Sequence, residues 1–353
     1  MERGYYVGMD IHKKYSQVVV MNEKGEVLAE GRLGHDVGRK ELREMEAIAG
    51  QSKVAIEATA SWGWLAEELE GMGMEVHLAH PGGVRLIAES RLKTDKVDAR
   101  VLAHLLRTGF LPEAYLCPRE VREKREMMRY RLGMVRMRTA AKNRIHAQLA
   151  RLGIEVGQTD LFGKGGREFL RGLELPKMER DHLDGWLEIV EHLDRLIKKA
   201  TERIERSLAE DPRAEFLTSI PGIGKLLAHT ILAEIGEVQR FHSERAFSSY
   251  AGLVPTTRQS GKVTRFGGLV KGCNNYLRWA LVEAAQVASR CDIQFRARYL
   301  RLKKSKGSAV AIAAIAHKMA KIVYTVVKEN RPYHRFQHEP LRVGPLPRMV
   351  ANG

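Results

Sequence analysis

Apolar and polar positions near the start of the chain include two short runs rich in strand-forming residues, Tyr5–Ile11 and Gln17–Met21, which predict the first two strands. The turn Asn22-Glu-Lys-Gly25 leads into a third strand, Glu26–Arg32. A polar helix over about 38–49 follows. Next come a buried strand Val54–Glu57, a helix through Trp62–Leu69, a short strand Glu75–Ala79, and a helix from near Lys93–Asp95 to Arg107. Hairpin strands followed by alternating helices and strands predict an α/β domain of RNase H type over residues 1–115.

After Pro118 the period lengthens. Met128, Leu132, Val135, Ile145, Leu149 and Leu152 recur at three-four spacing among many arginines, predicting a long helix to about Leu152. Gly153–Gly172 reads as a glycine-rich connection. A second long helix carries Trp186, Ile189, Val190, Leu193, Leu196, Ile197, Ala200 and Ile204 on one face. The two stripes suit either an antiparallel hairpin or a dimer contact, so 116–212 is a helical, coiled-coil linker. Residues 213–330 form a mostly α C-terminal domain with glycine-rich interruptions, and the proline-bearing stretch 331–353 is a tail.

Charge sharpens this division. The net charge of +16 is unevenly spread: residues 1–115 hold 15 Lys+Arg and 18 Asp+Glu, the remainder 44 and 25. A basic body with an acidic head points to a polyanionic partner, because each neutralised phosphate releases counterions. Cys117, Cys273 and Cys291 have no metal-ligand spacing and suit a reducing compartment. The most apolar stretch, Val310–Val327, is interrupted by His317, Lys318 and Lys321, so a cytoplasmic protein without a membrane span is expected.

Three groups of residues can carry chemistry. Asp10 lies on the first strand among apolar neighbours, and Glu57 ends the fourth; buried carboxylates are costly unless paired or bound to a cation. Asp95 and Asp98 share one face at a helix start, where capping alone is the plainer explanation. Convergence of all four would suit Mg²⁺, which takes hard oxygen ligands. A sugar-kinase phosphate loop is disfavoured, since His12, Lys13 and Lys14 stand where glycine and a hydroxyl are needed; Lys13 suits a nucleic-acid backbone instead. The second group, Ile220-Pro-Gly-Ile-Gly-Lys225, looks like a helix-hairpin-helix turn whose Gly222 and Gly224 expose backbone N–H groups to phosphate. The third places Ser260 among Arg258, Lys262, Arg265, Lys271 and Arg278, a basic, glycine-rich loop in which a serine can attack a phosphodiester, although Ser-Gly pairs are commonly turns. Arg129, Arg136 and Lys142 of the first long helix complete the expected nucleic-acid contacts.

The chain resembles the IS-one-ten type insertion-sequence transposases, related to the Piv and MooV DNA invertases. The likeness spans about residues 4–330. It rests on Gly8-Met-Asp-Ile-His-Lys13, Ile56-Glu-Ala58, Lys93-Thr-Asp-Lys-Val-Asp-Ala99, Ile220-Pro-Gly-Ile-Gly224, Tyr250-Ala-Gly-Leu-Val-Pro255, Gln259-Ser-Gly261 and Asn274–Trp279. It implies a RuvC-like DEDD domain, a coiled-coil linker and a C-terminal transposase domain. Asp10, Glu57, Asp95 and Asp98 then match the Mg²⁺-binding tetrad, and Ser260 the serine that joins DNA through a 5′-phosphoserine. The likeness further implies donor and target double-stranded DNA, a structured bridge-type guide RNA from the element, and dimers assembling to tetramers. A RuvC-like junction nuclease without a covalent intermediate, and a non-catalytic nucleic-acid-binding protein, are the alternatives.

Overall fold

The computed structural model describes residues 4–36, 40–59, 62–87, 94–207, 211–260 and 263–333. Two compact units divide at Arg119 and Glu120.

In the first unit, β1 (Tyr5–Ile11), β2 (Tyr15–Met21), β3 (Val27–Gly34), β4 (Ser52–Glu57) and β5 (Glu75–Ala79) form one sheet in the order β3-β2-β1-β4-β5. The β1–β2–β3 meander is antiparallel, whereas β4 and β5 add in parallel. Its helices are α1 (Lys40–Arg43), α2 (Trp62–Gly71), α3 (Pro81–Ile87) and α4 (Asp95–Arg107). The polar helix expected over 38–49 is one α turn followed by a 3-10 stretch, Glu44–Gln51; residues 38 and 39 lie outside the described residues.

Alternation along the strands sorts the sheet into two faces. Val7, Met9, Val18, Val20, Val54 and Ile56 pack with Leu42, Met45, Leu65 and Leu69 on one side. The other face is covered by α4, whose Ala99 and Ala103 meet Val19 and Met21, and whose Leu102 and Leu106 meet Ala55 and Ala79. Gly8 lets this helix sit tightly on β1: a Cβ there would collide with the backbone of Ala99 and Ala103. Helix α4 cannot yield without moving Asp95 and Asp98, so Gly8→Ala is expected to destabilise the unit by about 1–3 kcal/mol. Urea unfolding of the variant measures this, and unchanged stability would show that α4 is free to shift.

The second unit opens on α5 (Arg119–Arg151), α6 (Lys164–Gly172) and α7 (Lys177–Ser207). Contacts Gln148–Glu179, Arg138–Asp194 and Arg131–Thr201 run in opposite senses along α5 and α7, so the two long stripes pair within one chain as an antiparallel hairpin. The glycine-rich connection contains a helix, α6, because Gly166 allows close approach to the Leu161 carbonyl rather than freedom. Leu161 and Leu170 then join Ile145, Leu149, Leu183, Leu187 and Val190 in a small core.

The chain continues through α8 (Pro212–Thr218), α9 (Lys225–Ile235), α10 (Glu244–Tyr250), β6 (Pro255–Ser260), β7 (Val263–Leu269), α11 (Asn275–Cys291), α12 (Ile293–Lys306) and α13 (Ser308–Glu329). The helices share a core of Leu217, Ile231, Phe247, Leu281, Ile315 and Val323, among others. By length and composition α13 could cross a membrane, yet half of its most apolar window is buried in this core. The basic loop expected around Ser260 is instead a two-stranded antiparallel ribbon, β6–β7.

Candidate active site

Strand register and helix period bring Asp10 and Asp95 into one cluster, place Asp98 near enough to act on Asp10 by its charge, and leave Glu57 at the end of the neighbouring strand. Parallel pairing aligns Met9 with Ile56, and Asp10 and Glu57 are the next residues of their two strands. Both lie on the face that α4 covers. On α4, Asp95, Asp98, Ala99, Leu102, Ala103 and Leu106 follow the three-four spacing of one stripe. The apolar members of that stripe are fixed on the sheet, so the two aspartates project beyond its edge towards the ends of β1 and β4.

Several contacts hold α4 in place. Thr94 caps it by accepting a hydrogen bond from Val97 N at 3.3 Å, and both aspartates sit in the first turn, where the helix dipole favours negative charge. Glu30 of β3 pairs with Lys96 and Arg100, and at the far end Arg107 donates to the Glu23 carbonyl at 3.1 Å.

Asp10, His12 and Asp95 form a cluster whose ligand-type atoms lie within 4.8 Å of one another. His12 Nε2 stands 3.1 Å from Asp10 Oδ2 and 3.0 Å from Asp95 Oδ2. The Tyr15 hydroxyl donates to Asp95 Oδ2 at 2.9 Å, lowering the Asp95 carboxyl below its usual range and raising its own hydroxyl. The Arg32 guanidinium lies 4.7 Å from the centre of the Tyr15 ring. Asp10 behaves oppositely: burial pushes its carboxyl up, His12 opposes this, and the charges of Asp98 and Asp95 raise it further. A divalent cation would remove both the desolvation penalty and the repulsion. The oxygen-rich donor set, with one imidazole nearby, fits a hard ion of this kind.

His12 and Tyr15 are the members that sequence reasoning missed. In the sequence His12 reads only as a departure from a phosphate loop, although its place two residues after Asp10 is a usable signal. Tyr15 contacts Asp95 across eighty positions, which only the folded hairpin reveals.

The serine half lies in the second unit. Ser260 is the last residue of β6, paired in register with Val263, and Arg258 stands opposite Arg265. Lys262 lies outside the described residues. Arg278 secures the roots of the ribbon, donating to the Gly252 carbonyl at 3.0 Å and also to the Val270 carbonyl. Gly252, at φ 63°, leaves room for that guanidinium and for Cys273. Gly222, at φ 88°, is a packing position, since a Cβ would strike the Ala284 carbonyl; Gly224 has open space around it at the start of α9.

A buried network underlies this region. Glu234 is fully buried and receives two Arg129 donors, at 2.8 and 2.7 Å, and the Asn274 amide at 2.8 Å. Asn274 in turn caps α11 by accepting from Tyr276 and Leu277 N. The guanidinium groups of Arg129 and Arg278 are therefore engaged within the protein. Lys142 lies over Phe162, and its ammonium is lowered by burial. Lys13, Arg136, Arg265 and Lys271 have exposed side chains.

Comparison with known proteins places these features in a family. The DEDD transposase family model of the IS110 type matches residues 7–154, covering every carboxylate of the cluster. A second model, described as the transposase IS116/IS110/IS902 family, matches residues 214–300, which include the ribbon. The chain belongs to this transposase family. A probable family 20 transposase of Pseudomonas aeruginosa is 26% identical, over 93% of this chain and 98% of its own. The transposase of insertion sequence IS1328 from Yersinia enterocolitica is 25% identical over the same shares. The pilin gene-inverting protein of Moraxella bovis is 27% identical, over 80% of this chain and 82% of its own. As a transposase of this family the chain is an enzyme of DNA strand transfer, and DNA is its substrate.

Proposed function

We propose that the chain excises and inserts a mobile element through a serine-linked intermediate, with Asp10, Glu57, Asp95 and Asp98 holding Mg²⁺ in a RuvC-like domain. The observation that carries this reading is the convergence of the β1 and β4 ends with the aspartate stripe of α4. When bound, the cation supplies charge neutralisation at a phosphodiester and so favours attack on phosphorus. Asp10 and Glu57 are fixed on strands, and Tyr15 orients Asp95 through its hydroxyl.

In the proposed step the Ser260 oxygen attacks phosphorus. The Ser260 O–P bond forms, the P–O3′ bond breaks, and the serine proton is delivered to the departing 3′ oxygen. A later 3′-hydroxyl reverses the exchange on the phosphoserine and restores the serine. The exposed groups of Lys13, Arg136, Arg265 and Lys271, and the Gly222–Gly224 turn read as helix-hairpin-helix, are assigned to nucleic-acid backbone. A structured guide RNA and assembly as dimers and tetramers, with the acidic site and the serine meeting across protomers, belong to the same reading. They rest on the family likeness.

The test is to incubate the protein with element-end DNA, denature it, and digest the product. A DNA–peptide adduct mapping to Ser260 is expected. Cleaved DNA with no adduct would replace this mechanism with simple hydrolysis by the acidic site.

A further inference from the structure

The cluster at the end of β1 contains one side chain that is not an acid. His12 lies in the turn after β1, where its amide donates to the Tyr15 carbonyl at 2.9 Å and its ring centre stands 4.7 Å from that of Tyr15. So held, its Nε2 lies 3.1 Å from Asp10 Oδ2 and 3.0 Å from Asp95 Oδ2. A single ring nitrogen carries at most one proton and can satisfy one acceptor. Here it is shut off from solvent and, among the described residues, aligned for a hydrogen bond with neither carboxylate. His77 shows the ordinary arrangement in the same unit. It too lies between two carboxylates, but Nδ1 faces Glu113 and Nε2 faces Glu75, each at 2.9 Å, so each nitrogen has one partner.

One nitrogen beside two anionic oxygens has the spacing of neighbouring ligands around a shared ion. With metal–ligand lengths of about 2.1 Å, adjacent corners of an octahedron lie about 3.0 Å apart. We infer that His12 is a direct nitrogen ligand of the cation held by Asp10 and Asp95, and that it makes the site favour Mn²⁺ over Mg²⁺. The ion follows from the donor set. Carboxylates suit Mg²⁺, Ca²⁺ and Mn²⁺, whereas imidazole is a ligand of first-row transition ions, and Mn²⁺ is the ion that belongs to both groups. Mg²⁺ takes oxygen and parts reluctantly with its water, so it gains least from the imidazole. The inference rests on the cation reading of Asp10 and Asp95 and makes no use of Ser260.

The experiment loads the full chain with Mn²⁺ alone and records its pulsed electron-spin-echo spectrum, which carries a modulation when imidazole nitrogen is bound to the ion. The unsubstituted chain should show it, and His12→Gln should lose it. Labelling the histidines of the unsubstituted chain with heavy nitrogen should shift the modulation frequency, a reading that needs no substitution. His77→Gln should leave the modulation in place. In titrations, His12→Gln should weaken Mn²⁺ binding about tenfold or more and Mg²⁺ binding less, so that the preference between the two ions shrinks. Modulation that persists in His12→Gln, that disappears in His77→Gln, or that is absent from the Mn²⁺-loaded parent would overturn the ligand role while leaving the acidic site standing. A parent chain that binds no Mn²⁺, or an Asp10→Asn chain that binds it equally well, would remove the cation reading itself.

Discussion

Asp10→Asn should lower strand exchange by about a thousandfold or more while leaving the protein at least as stable as before. The two halves of this expectation have one cause. Burial and the neighbouring Asp98 and Asp95 raise the Asp10 carboxyl, which means that its charged form is disfavoured in the folded protein. For an acid whose folded pKa is raised, the penalty sets in as pH rises through the ordinary carboxylate range and is complete above the folded value. At neutral pH and without a cation, the neutral amide therefore removes a destabilising charge. It also removes the negative charge, and one of the two oxygens, with which Asp10 would hold the proposed Mg²⁺. Thermal unfolding should show Mg²⁺ stabilising the parent protein and not the variant. Strand exchange at the parent's rate would sink the assignment, and so would equal stabilisation of both proteins by Mg²⁺.

Glu234→Ala should destabilise the second unit by about 3 kcal/mol, read from denaturant unfolding. Removing the carboxylate strands Arg129 against the protein and leaves the Asn274 amide only the Tyr250 hydroxyl as acceptor. The lower end of the usual range for breaking a buried pair applies, because Arg129 keeps 35% of its side chain in water. Glu234→Gln retains the shape and one acceptor, so it should be milder. Asn274→Ala should lose a helix cap as well, for about 1 kcal/mol. Combining it with Glu234→Ala should give less than the sum, since the two share one hydrogen bond. Additive effects would show that the network is not a unit.

The meeting of Asp10 with Asp95 was legible because its logic is local. Asp10 and Glu57 announce themselves as carboxylates on apolar strands, and Asp95 and Asp98 head a helix stripe whose other members are small or apolar. Register and period are both sequence properties, so their meeting point could be anticipated. Glu234 was not, although a lone acid inside Leu226–Ile235 is itself a signal. Its partner Arg129 is 105 positions away and chosen by packing. The β6–β7 ribbon was also missed. Its glycines and charges masked the alternation in Thr256–Ser260 and Val263–Phe266, and most of its described side chains are exposed, so burial left little trace in the sequence. Helix α6 was hidden for the opposite reason: Gly165 and Gly166 looked like a breaker, whereas Gly166 is where the helix touches Leu161. Arginine density overstated the nucleic-acid face of α5, because pairing to Asp194, Glu179 and Glu234 is a tertiary property.

The order of the carboxylates along the chain bears on synthesis. All four fall within the first 98 residues, and the strands and helix that gather them form one compact unit ending at Arg119. This unit can fold while the ribosome is still translating. Ser260 lies 162 residues beyond Asp98, roughly 10–30 s later at ordinary elongation rates. On the composite reading, a nascent or truncated chain holds a finished cation site without a nucleophile.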